Sequence, residues 1–114
     1  MASMRVDSWS RNEPRTAEVT VTAPNSTLTW IIGSSQSITW THNLGAGAAM
    51  RVELTRNNGA TWETLAAPVA ATGATTGVFT WVVTGPVTTA ARIRVVWLAK
   101  PSVAYQSNKA FRIQ

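Results

Sequence analysis

The sequence predicts an all-β protein, a sandwich of about seven antiparallel strands in two sheets. Three observations lead there. From Glu18 onward, short apolar-rich runs recur every eight to twelve residues between turn signals. Side chains alternate with a period of two, and no segment keeps a helical period with caps. Composition agrees: threonine and valine abound, charged residues are only 13%, about half the usual share, and the abundant residue types suit pleated, half-buried surfaces.

At 114 residues the chain is one domain's worth, with a single core. Residues 1–17, with three arginines, two acids and Trp9 but no periodicity, read as an N-terminal arm. Residues 18–114 form the sandwich domain. The expected strands are 18–23 (EVTVTA), 35–41 (SQSITWT), 49–55 (AMRVELT), 61–66 (TWETLA), 77–84 (GVFTWVVT), 90–98 (AARIRVVWL) and 107–113 (SNKAFRI), with a short extra strand around LTWII before Gly33. Asn25-Ser26-Thr27, a glycosylation sequon after Pro24, reads as a turn.

Alternation assigns faces. Ile38 and Trp40, then Met50, Val52 and Leu54, then Phe79, Trp81 and Val83, then Ala91, Ile93 and Val95, and last Phe111 and Ile113 form the expected core rows. Arg51, Glu53, Arg92, Arg94 and Arg112 must then point outward. In TRNNGATW (55–62), a two-residue turn at Asn58-Gly59 would place Glu63 opposite Leu54, a carboxylate on the core face. A three-residue loop, Asn57-Asn58-Gly59, with Gly59 left-handed, instead pairs Leu54 with Trp62 and keeps that face apolar. The second register is expected, with a bulge near Leu65, which breaks the alternation.

The succession VTVTAPNSTLTWIIGSSQSITWTHN, VELTRNNGATWETLA, GVFTWVVTGP and ARIRV resembles the immunoglobulin-like, fibronectin-III-like β-sandwich of the Kre9/Knh1 type, the N-terminal domain of Ser-Thr-rich GPI-anchored proteins found in secreted and surface proteins. The resemblance spans about residues 18–114. It implies an extracellular-type accessory or spacer module with no catalytic residues to carry over. Thr55, Gly59, Thr61 and Trp62 also match the Asp-box hairpin, with Asn57 where aspartate is usual, which implies a structural hairpin.

Other chemistries find little footing. His42 is the only histidine and Asp7 the only aspartate, and no serine sits in a nucleophile-elbow context. His42 reads as a loop side chain after SITW. With no cysteine and scattered carboxylates, neither disulfide nor metal cluster is expected. GAGAA lacks a following helix or lysine, so it is no phosphate loop. The expectation is a non-enzyme without cofactor or metal. No apolar run reaches membrane-span length, and the first residues lack the apolar stretch of a signal peptide.

Two surface features remain. Trp40 and Trp81 sit at inward positions and Trp62 is assigned opposite Leu54, which leaves Trp9, Trp30 and Trp97 as candidates for a sugar-stacking platform. Net charge is +5, and the third, sixth and seventh strands of an immunoglobulin-like sandwich share a sheet. Arg51, Arg92, Arg94 and Arg112 would then form a basic outer face, edged by Val96 and Trp97, fit for a protein or assembly surface or an anionic polysaccharide. Nucleic acid rests on charge alone, without a recognised motif. The leading expectation is a non-catalytic structural or adhesion module of a cell-surface, secreted or virion-surface assembly, with association through the arm. The alternative is a carbohydrate-binding module.

Overall fold

The computed structural model describes residues 16–114; the remainder of the predicted arm, with Trp9, lies outside the described residues. Nine strands and no helix make up the described chain: β1 (Val19–Ala23), β2 (Thr29–Trp30), β3 (Ser35–His42), β4 (Ala49–Thr55), β5 (Glu63–Ala70), β6 (Thr76–Val82), β7 (Thr88–Trp97), β8 (Ala104–Gln106) and β9 (Phe111–Ile113). They form a three-stranded sheet, β1-β3-β6, and a six-stranded sheet, β2-β9-β7-β4-β5, with β8 also paired to β7. Every pairing is antiparallel except β2 with β9.

Both sheets turn one face inward, because period-two alternation puts every second residue of each strand on the same side. Val19, Val21, Ile38, Trp40 and Trp81 come from the smaller sheet. Met50, Val52, Leu54, Ala91, Ile93, Val95, Phe111 and Ile113 come from the larger, and all join one buried cluster. Of the expected core rows only Phe79 falls short of full burial, packing against the cluster on edge strand β6. Two aromatic contacts close the centre: Trp30 lies 4.7 Å from Phe111 and 6.1 Å from Trp81 between ring centroids. Gly77 is required beneath Trp40, since any Cβ there would run into the indole.

The β4–β5 register differs from expectation. Leu54 lies opposite Glu63, not Trp62. This pairing buries no carboxylate, because β5 is an edge strand and the Glu63 side chain keeps half its exposure, 51%. Arg56 meets it at the rim, donating Nε to Glu63 Oε1 at 2.9 Å. The same guanidinium donates to Pro86 O at 2.6 Å and Thr84 Oγ1 at 3.2 Å, both just beyond β6. One arginine thus ties the hairpin to the other sheet. Leu65 is the extra residue between the Val52–Ala66 and Glu53–Thr64 pairs, the expected bulge. β5 also runs on through Pro68, which an edge strand tolerates because the missing N–H can face outward.

Of the predicted 107–113 strand only β9, Phe111–Ile113, forms; residues 107–110 are a turn that joins it to β8, which lies before the predicted stretch. Ser107 makes the break. Its N–H donates to Ile93 O at 2.8 Å, while Ile93 N–H goes to the Ser107 hydroxyl at 3.1 Å rather than to the carbonyl. That carbonyl turns instead to Arg92, and Asn108 N–H bonds Asn25 Oδ1 at 2.9 Å, fixing the turn after Pro24.

Candidate functional site

The outer face of the six-stranded sheet carries the predicted basic residues. β4 places Arg51, Glu53 and Thr55 there, and β7 places Arg92, Arg94 and Val96, because each alternates with a buried neighbour. Arg112 does likewise between Phe111 and Ile113 on β9. The topology therefore brings the four arginines to one face. It does not leave them free.

Glu53, 7% exposed, sits between two of them. Its Oε2 accepts from Arg51 Nε at 2.8 Å and its Oε1 from Arg94 Nε at 2.6 Å. The register makes this possible: Arg94 faces Glu53 directly across the β4–β7 ladder, and Arg51 is two residues along the same strand face. Arg94 also lies 4.0 Å over the ring of Trp62. Arg92 donates to Asn58 Oδ1 at 2.7 Å, Ser107 O at 2.9 Å and Asn108 O at 2.8 Å, joining the β4–β5 hairpin to the β8–β9 turn. Among the described residues only Arg112 of the four makes no side-chain hydrogen bond, and it is exposed. Among the described residues the face is a bonded arginine–glutamate lattice in which Arg112 alone is unbonded, not an open basic patch.

Val96, expected to edge that face as an exposed apolar residue, is 3% exposed; its ladder partners Arg51 and Ala104 flank it. Trp97 faces inward opposite Met50 and packs against the core. Trp30, expected as part of a stacking platform, is a core residue, because parallel pairing with β9 turns it inward beside Ile113. Trp62, expected in the core, is half-buried on the outer face instead, for it lies one residue before the Leu54–Glu63 pair. The described tryptophans thus present no flat exposed ring. Trp9 lies outside the described residues.

The hairpin satisfies itself. Thr55, 1% exposed, accepts Gly59 N–H at 2.8 Å and Asn57 N–H at 3.3 Å on Oγ1, and donates to Asn57 Oδ1 at 2.8 Å. Asn57 Oδ1 also accepts Thr61 N–H at 2.9 Å, and its Nδ2 donates to Thr61 Oγ1 at 2.8 Å. Asn58 at φ 58° and Gly59 at φ 96° supply the left-handed backbone. The loop is longer than three residues because β5 starts only at Glu63. Its polar side chains bond inward, which is the geometry of a turn rather than of a ligand cradle.

A depression of about 460 Å³ opens beside the end of β3, at residues with no motif to announce it. Thr16, Glu18, Thr20, Thr41, His42, Asn43 and Thr75 line it. His42 is the last residue of β3 and 6% exposed, not a loop side chain. Leu44 N–H donates to its Nδ1 at 3.1 Å, which assigns the proton to Nε2, 3.3 Å from Thr76 O. Both ring nitrogens are engaged with backbone, so the depression offers hydroxyls and the Glu18 carboxylate but no open imidazole. Asn43 Nδ2 donates to Thr16 O at 2.8 Å, holding residue 16, assigned to the arm, against the body. Among the described residues no group of three or more His, Cys, Asp or Glu could hold a metal, and no helix is long and apolar enough to cross a membrane.

Nothing among protein-family models, curated proteins or solved structures matches this chain.

Proposed function

We propose that the chain is a non-catalytic immunoglobulin-like module, a spacer or adhesion unit of a cell-surface, secreted or virion-surface assembly, acting through protein or surface contacts. The strand order supports the immunoglobulin-like part. The first stretch of chain is shared between the sheets, as β1 beside β3 and as β2 beside β9, and β4, β7 and β9 lie together in the second sheet.

One observation carries the spacer reading. Strand β1 begins beside the end of β3, where Asn43 N–H bonds Glu18 O at 3.3 Å. Strand β9 ends beside the start of β3, where Gln114 accepts from Ile32 N–H at 2.8 Å. The polypeptide therefore enters at one pole and leaves at the other, about 25 Å apart over the eight residues of β3. Whatever is attached at either pole is held in line. Among the described residues His42, Glu53, Arg51, Arg92 and Arg94 are engaged in internal bonds, and the core takes Trp30 away from any glycan platform.

Small-angle scattering of the domain with a folded reporter fused at each end tests this. Two lobes held apart by the domain's length are expected. Reporters that lie side by side would sink the spacer reading.

A further inference from the structure

Sheet edges are templates for pairing with another chain, and folded proteins usually blunt them with charge, proline or brevity. Among the described residues, four of the edge strands are treated so. β2 and β8 are two and three residues long. β5 carries Pro68. β1 lies between Glu18 and Pro24. The exception is β6, seven residues, TGVFTWV, with neither charge nor proline. Its only ladder partner is β3.

Register shows which backbone groups that edge presents. His42 N–H donates to Thr75 O, and Val83 N–H to Ser34 O, so the hydrogen-bonded pairs with β3 include 42–75 and 34–83. Alternation along an antiparallel ladder then turns the N–H and C=O groups of Gly77, Phe79 and Trp81 toward β3, and those of Val78, Thr80 and Val82 outward. Their side chains are exposed as well, Val78 by 38% and Val82 by 55%.

The sequence of this edge is self-complementary about Thr80. Val78 and Val82 lie two residues to either side, and Phe79 and Trp81 one residue to either side. We infer that β6 pairs antiparallel with β6 of a second copy, across a two-fold axis at Thr80, joining two three-stranded sheets into one. Thr80 then faces Thr80 of the second copy, and Val78 faces Val82 twice. Each of these opposed pairs exchanges two backbone hydrogen bonds, and the threonine and valine pairs are of the kinds that stabilise a ladder. A two-fold contact closes on itself, so the product is a dimer and not a filament. A single strand from each copy makes a small interface, so association falls in the micromolar to millimolar range. The inference rests on edge geometry alone, and its failure leaves the module reading untouched.

Sedimentation velocity of the full chain across micromolar to millimolar concentrations tests it. The wild type should shift from monomer to dimer. Thr80→Lys and Thr80→Glu each place like charges together on the axis and should each remain monomeric. An equimolar mixture of the two at low salt should dimerise again, since opposite charges then meet. Near-UV circular dichroism of the tryptophans reports whether each variant keeps its fold. Should either fail to fold, Val82→Lys, which sets a lysine against Val78 of the other copy, is the second variant and should also stay monomeric. A wild type that is monomeric throughout, a dimer that survives these substitutions, or a mixture that stays monomeric would each overturn the inference.

Discussion

The Arg94 guanidinium lies 4.0 Å above the Trp62 ring while its Nε holds Glu53 at 2.6 Å. One side chain thus joins the hairpin to the centre of the larger sheet. Glu53 is the pivot, because it is buried and answers two arginines. Glu53→Ala should lower stability by about 1–3 kcal/mol, the range for lost hydrogen bonds to charged groups. Trp62→Ala should remove about 0.5–1 kcal/mol of cation–π attraction besides its packing. Urea unfolding of both single variants and the double variant measures the coupling; strict additivity would mean the stack and the ion pair act independently.

Arg92 is a structural arginine. With bonds to Asn58, Ser107 and Asn108, Arg92→Glu should lower the urea midpoint, by about 1–3 kcal/mol in free energy. Arg112→Glu, on an exposed side chain, should stay within about 0.5 kcal/mol of wild type. Equal midpoints for the two would contradict the bonding described for Arg92.

Gly77 and Trp40 form a size-matched pair. Gly77→Ala should destabilise by about 1–3 kcal/mol through overpacking against the indole. Trp40→Ala should remove about 3–5 kcal/mol. In the double variant the alanine methyl meets open space, so the two losses should sum to less than their separate values. A double variant at the full sum would show that the clash is relieved elsewhere.

Gly59 has φ 96° and no side-chain atom nearer than 3.8 Å to where a Cβ would stand. Gly59→Ala should therefore show backbone strain alone, about 1 kcal/mol. Thr55→Val keeps the shape but removes the hydroxyl that serves Gly59 and Asn57. It should cost about 1–3 kcal/mol. Thermal unfolding ranks the two, and a larger loss at Gly59 would reverse the assignment of Thr55 as the hairpin's main tie.

Titration against acidic and neutral polysaccharides at two salt concentrations addresses the surface. Weak, salt-sensitive binding of the acidic polymer that falls with Arg112→Glu is the outcome the face predicts, since screening acts on exposed charge. Salt-insensitive binding of the neutral polymer would require an exposed ring that the described tryptophans do not present.

By itself the sequence determined the strands that alternate strictly and have a neighbour on each side. Rows such as Met50, Val52 and Leu54 or Ala91, Ile93 and Val95 can bury only one face, and a one-residue slip would expose every member. It also carried Gly59's left-handed backbone and the bulge at Leu65. Tertiary structure decided what depends on a second partner. Edge strand β5 takes its register from Arg56 and a solvated rim rather than from burial, so the apolar argument for Trp62 opposite Leu54 had no force there. Trp30 is buried because β2 pairs with β9, some eighty residues further along, and nothing local announces that contact. The arginines lie on one face by alternation, but only the β4–β7 register sets Glu53 opposite Arg94 and turns a row of like charges into a bonded lattice.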